Sequence, residues 1–244
     1  ALMPLMAAYW WRSAKDRIWA VTGIITSGII VFCCASSTPV MGVLAALIGG
    51  LMFYCRNYMQ VIRWGIVLML IALHIVMKAP VWHLISRISA VGGSTGYHRY
   101  MLINAAINHF NEWALMGTKS TAHWGFGAQD VCIQYVLEGV HGGLLTLVLF
   151  VAIIVLTFQG IGRLWRRYSQ DSYRLILSWA IGVSLFVHCV NFIGVSYFGQ
   201  INIIWYLLLA MISSMSPVSS GVARALPYYS GLGGKNGDTT KPRL

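Results

Sequence analysis

The sequence predicts an all-α, polytopic helical membrane protein with about six transmembrane helices and one large periplasmic loop containing amphipathic helices. Three observations lead there. Hydrophobic residues make up 58% of the 244 residues and charged residues only 9%, against about 25% charged in a soluble domain. The mean hydropathy is +0.70. The apolar residues also fall in long runs with basic residues between them, and the runs lack the alternation of barrel strands. This composition excludes an ordinary soluble enzyme, a disordered chain and a disulfide scaffold. The formal net charge of +11 reads as orientation in the bilayer, and no nucleic-acid partner is expected.

The runs extend from Ile18 to Ala35, Pro39 to Cys55, Arg63 to Met77, Val131 to Phe158, Leu175 to Phe198 and Ile201 to Met215. The third is short against the roughly 20 residues of a span, and extends through Val61 and Ile62. Residues 1–11 are apolar as well. With Ala first and no charged segment ahead of it, the chain is expected to be processed or to be the later part of a longer protein. Cys33, Cys34, Cys55, Cys132 and Cys189 show no paired spacing and read as small apolar residues.

The basic residues set the topology. Arg12, Lys15 and Arg17, then Arg56 and Arg63, then Arg163, Arg166, Arg167 and Arg174, then Arg224, Lys235, Lys241 and Arg243 share one side. Only Lys78, Arg87, Arg99 and Lys119 lie on the other. The richer side is expected to be cytoplasmic, with both ends of the chain there and the stretch from Lys78 to Asp130 facing outward, to the periplasm or the cell exterior. The organisation is then three spans in 1–77, a periplasmic loop in 78–130, three spans in 131–215 and a cytoplasmic tail in 216–244. From Gly231 that tail is Gly-rich, polar and expected to be disordered.

A loop of this length is usually functional. Val81, Trp82, Leu84, Ile85 and Ile88 have helical spacing, and the GGSTG of Gly92 to Gly96 reads as a break. A second helix is expected over His98 to Leu115, with Leu102, Ala106, Phe110 and Trp113 on one face. It either closes the mouth of the bundle or walls a site for a substrate with a lipid end and a polar end. Arg99 opens this helix. It is either an interfacial anchor or, with Arg87, Lys78 and Lys119, part of a site for an anion whose oxygens its planar fork matches. His98, His109 and His123 share this side, but no HxxxH or HExxH spacing exists, so no metal is expected. One of them could serve as a general base. The GFG of Gly125 to Gly127 is too short for a nucleotide fingerprint. Glu138 falls inside the fourth span, where an acid is a functional candidate by default. It is expected either to act or to pair with His141, His74, His188 or a backbone group.

Arg99, Ala105-Ala106, Gly117 and the span QYVLEGVHGGLL, with Gln134, Glu138 and Gly143, form an ordered pattern. That pattern resembles the O-antigen ligase and polymerase superfamily. SSTP at Ser36 to Pro39 stands where many members carry Ser-Arg between two spans. Two positions depart. Ala114 stands where the family's turn has Pro, and Gln129-Asp130 stands where it has His-Asn. Members are longer, so the chain resembles their C-terminal half. The resemblance implies a glycan on undecaprenyl diphosphate, moved at the periplasmic face to a hydroxyl on lipid A–core, another glycan or a protein. No cofactor is implied. Catalytic roles would fall to Arg99, Asp130 and His123, and substrate contacts to Arg87, Gln129, Glu138 and Lys119. Arg99, Arg87 and Asp130 should then converge on one outward cavity. The alternative is a transporter or flippase-like protein, with its cavity centred on Glu138.

Overall fold

The computed structural model describes residues 1–10, 12–34, 36–87 and 95–215, without the side chains of Ala14, Arg87 and Thr95. Most of the expected Gly92–Gly96 break and the whole 216–244 tail lie outside these residues. Every regular element among them is helical: α1 (Met3–Tyr9), α2 (Ala14–Cys33), α3 (Ser37–Leu51), α4 (Met59–Val76), α5 (Thr95–Asn108), α6 (Phe110–Trp113), α7 (Gln134–Arg167), α8 (Ser172–Gly194) and α9 (Ile201–Met215). Tight 3-10 turns occupy Arg56–Tyr58, Val81–Arg87 and Ala122–Trp124.

Four stretches are long and apolar enough to cross a membrane: Lys15–Cys33, Arg56–Val76, Gln134–Arg167 and Ser172–Gly194. This is fewer than the six expected. The helices α3 and α9 have 15 residues each, about 22 Å at 1.5 Å per residue, against a hydrocarbon core of about 30 Å. Local chemistry sets two of the starts. Ser13 accepts from the Asp16 backbone N–H at 3.2 Å and caps α2, and Asp171 accepts from the Arg174 N–H at 3.1 Å and caps α8.

The core is built around α8. Leu5 and Ala8 of α1, Ile154 and Ile161 of α7, Ile181, Leu185 and Phe192 of α8, and Trp205, Leu208 and Ile212 of α9 form one buried cluster. On its other side α8 meets the small residues of α3. Ala45 packs on Val183 and Val187, and Trp179 Nε1 donates to the Gly49 carbonyl at 2.9 Å. Gly42, Ala45 and Gly49, at helical spacing, let the two backbones approach.

The 95–133 segment folds onto one end of this bundle. The expected helix over His98 to Leu115 is interrupted at His109, whose backbone leaves the helix at φ −100, ψ 26. Leu102, Ala106 and Trp113 remain buried, whereas Phe110 is 42% exposed, because the interruption rotates it off the shared face. Leu102 closes a small core with Ala128 and Ile133, and Trp113 Nε1 donates to the Ala106 carbonyl at 2.8 Å. Val131, expected to open the fourth span, lies in the loop, and the helix begins at Gln134.

Candidate functional site

The site region begins with a break in α7. Gly143 has φ +79 and ψ 178 in the middle of that helix, a conformation that L side chains rarely adopt. A helix broken here must satisfy its freed backbone groups elsewhere. The turn after α6 does this. Leu144 N–H donates to the Ala114 carbonyl at 2.9 Å, and Thr118 N–H donates to the Val140 carbonyl at 2.7 Å. Gly117, at φ +78, sits so close that a Cβ there would lie 2.5 Å from the His141 carbonyl oxygen. The turn is thereby wedged into α7, and the residues following it, Thr118 to Asp130, are held against the end of the bundle.

Arg99 is buried at 5% exposure. Its Nη2 donates to Thr38 Oγ1 at 3.0 Å and to the Gly194 carbonyl at 3.1 Å. Thr38 Oγ1 also donates to that carbonyl, at 3.4 Å. The guanidinium therefore joins the start of α3, the last turn of α8 and α5, and its charge sits where the α8 dipole is negative. No carboxylate among the described residues forms an ion pair with it. Cys132 lies within electrostatic reach of both Arg99 and Asp130. Burial pushes its thiol above the ordinary value, Arg99 draws it down and Asp130 adds to the rise.

A cavity of about 310 Å³ is lined by residues 118–121, Gln129, Asp130 and Val131 of the loop, by Leu137, Val140 and His141 of α7, and by Ser196. Three of the expected site residues, Lys119, Gln129 and Asp130, meet here. All three are exposed. His141, expected near Glu138, lines this cavity instead. Arg99 does not line it, so Arg99 and Asp130 do not converge on one cavity as expected: the cation is buried and the acid is exposed. The Arg87 side chain is outside the described residues.

No family model, no curated protein and no solved structure matches the chain. What the site does must be read from its residues.

Glu138 faces a second cavity of about 220 Å³ between α7 and α9, lined by Gln134, Phe150, Phe192, Asn202, Trp205 and Tyr206 among others. Its partner is none of the expected histidines. Gln134 Nε2 donates to Glu138 Oε1 at 2.7 Å, and Gln134 Oε1 accepts from the Tyr197 backbone N–H at 2.6 Å. His188 instead meets Tyr197 Oη at 2.6 Å, and His74 stacks on Trp82. The spacing of one helical turn that relates Gln134 to Glu138 is visible in the sequence. The contribution of Tyr197 is not, because it arrives from the connection after α8.

His123, expected as a possible base, lies in neither cavity. Its Nε2 is 2.7 Å from Glu112 Oε2. The other oxygen, Oε1, is 2.7 Å from His109 Nδ1, and Trp124 Nε1 donates to Oε2 at 2.9 Å. Those three bonds, Trp124 first, lower the Glu112 carboxyl to about 2, so the group is ionised at neutral pH. The sequence reading gave Glu112 no role. The signal available was His109 and Glu112 three apart, one helical turn. The closing residue, His123, comes from beyond the wedge turn.

Proposed function

We propose that this chain is an O-antigen ligase- or polymerase-like glycosyltransferase of a bacterial inner membrane. It would move a glycan from undecaprenyl diphosphate to an acceptor hydroxyl at the periplasmic face. The reading carries with it six spans, α3 and α9 included, with both ends of the chain cytoplasmic. The observation that carries it is the polar cavity at the loop end of an apolar bundle, where an acid, an amide and a lysine converge. Such a place suits a substrate whose tail stays in lipid and whose reacting atoms stay in water.

In the proposed step the acceptor oxygen attacks the anomeric carbon of the lipid-linked sugar. A carbon–oxygen bond forms there as the bond to the diphosphate oxygen breaks. The electron pair leaves on the diphosphate, and the hydroxyl proton passes to Asp130. Lys119 lies in the same cavity and offers a charge to the departing diphosphate. Gln129 orients a sugar hydroxyl. Arg99 holds α3, α5 and α8 together and contributes positive potential. The acceptor is a hydroxyl on lipid A–core, a second glycan or a protein.

The cavity at Glu138 favours a second reading, a transporter or flippase-like protein. One comparison separates them. Glycan transfer from undecaprenyl-diphosphate glycan should fall at least about 100-fold in Asp130→Asn, with protein level unchanged, while Glu138→Gln retains it. Full transfer in Asp130→Asn removes the proposed base. Substrate flux that depends on Glu138 and is indifferent to Asp130 supports the transporter.

A further inference from the structure

The geometry points to a zinc-binding site formed by His109 Nδ1, Glu112 and His123 Nε2. These three ligand atoms lie within 4.8 Å of one another. Two imidazoles and a carboxylate are a donor set that zinc takes, with water completing a tetrahedron. The site does not depend on the transferase reading.

The three side chains already meet through one carboxylate. Each imidazole nitrogen stands 2.7 Å from its own oxygen of the same carboxylate. Ligand atoms about 2.0 to 2.1 Å from a tetrahedral zinc stand about 3.3 Å apart, and the three ligand atoms here, none more than 4.8 Å from another, reach that spacing by side-chain adjustment. Deprotonated ligands are required, and a glutamate carboxylate with two imidazoles is a set that supplies them near neutral pH. The surroundings supply the outer support that metal ligands need. Trp124 Nε1 holds Oε2, and the Trp124 ring stacks on His109 with a centroid separation of 5.2 Å and an interplanar angle of 7°, which holds the imidazole plane. All three residues are reached by solvent, so an ion has an entry path.

The ligands come from two places, His109 and Glu112 from the α5–α6 junction and His123 from the loop beyond the wedge turn. A bound ion would therefore close the 109–123 segment into a ring. The same loop supplies Lys119, Gln129 and Asp130 to the larger cavity, so the ion would hold one base of that cavity's wall.

The test uses the full chain purified in detergent, stripped with chelator and titrated with Zn²⁺ against a chromophoric competitor. Free thiols are alkylated first, because Cys33, Cys34 and Cys55 are exposed and would capture zinc. One equivalent should bind to the unaltered chain, and affinity should fall at least about tenfold in Glu112→Gln and in His123→Ala. His123→Ala removes an exposed side chain from a turn, so it serves where Glu112→Gln lowers the yield of folded protein. Cobalt bound to the unaltered chain should give the visible absorption of a tetrahedral site, and lose it in both variants. Equal binding by the unaltered chain and His123→Ala, or no binding by either, overturns the site.

Discussion

The helices α4 and α8 are both long, and the spans that contain them have nearly equal hydropathy, 2.0 and 1.9, yet none of the first is buried inside the protein and half of the second is. Among the described residues the main contacts of α4 are with the turns that flank it. It displays Trp64, Leu68, Ile71 and Ile75 on an open surface. In α8, Ser178, Ser184 and His188 are buried beside Ile181 and Leu185. The difference lies in which residues interrupt the apolar run. Hydropathy sets the solvent a helix tolerates, and lipid is as good a solvent for leucine as another helix is. What draws a helix into a bundle is close packing and hydrogen bonding, and α8 has the partners for both: Gly42 and Gly49 facing it, and Trp179 donating across the interface.

The largest effect expected from this comparison is at Phe192. Its ring meets those of Tyr135, Phe150, Tyr197 and Trp205, with centroids 4.7 to 5.9 Å away. Phe192→Ala should destabilise the protein by about 3–5 kcal/mol, whereas Trp64→Ala on α4 should change it by less than about 0.5 kcal/mol. Unfolding midpoints in matched detergent measure both, and comparable losses would erase the contrast. Next is the solvent of α4. If its faces meet hydrocarbon, Leu68→Arg near its middle should disfavour insertion by about 2.5–3.5 kcal/mol, read from the inserted fraction in membranes. An unchanged fraction would mean that α4 lies outside the bilayer core. The smallest effect has opposite signs in the two regions. A Cβ at Gly49 would lie 2.8 Å from Val183 Cγ1, while one at Gly65 meets nothing within 4 Å. Gly49→Ala should cost about 1–3 kcal/mol through overpacking, and Gly65→Ala should gain roughly 0.5–1 kcal/mol from the helix preference for Ala. A gain at Gly49 as well would show that α3 and α8 do not approach as described.

The apolar runs of the sequence match the long helices, because a run of apolar residues reports burial in lipid or protein without regard to what lies beside it. The ends and breaks depended on contacts the pattern does not carry. Residues 98–115 read as one amphipathic helix because Leu102, Ala106, Phe110 and Trp113 keep helical spacing, yet the backbone turns at His109, and Glu112 goes to His109 and His123. The fourth run reads as a continuous span, yet Gly143 opens it to receive the turn at Gly117.

The sequence by itself determined helices along its apolar runs and a polar-bearing segment between the third and fourth of them, since transfer from water is close to additive over residues and each run carries its own preference. Lys119 entered the sequence reading as one basic residue of that segment, and Gln129 and Asp130 through the family resemblance; that the three line one cavity came from the structure. Only the tertiary structure decided that Arg99 is buried against Thr38 and Gly194, that Glu138 pairs with Gln134 beneath Tyr197, and that Glu112 gathers two histidines. Those outcomes join residues up to 95 positions apart. A hydrogen bond is set by distance and angle in space, and neither is carried by the local pattern from which a sequence is read.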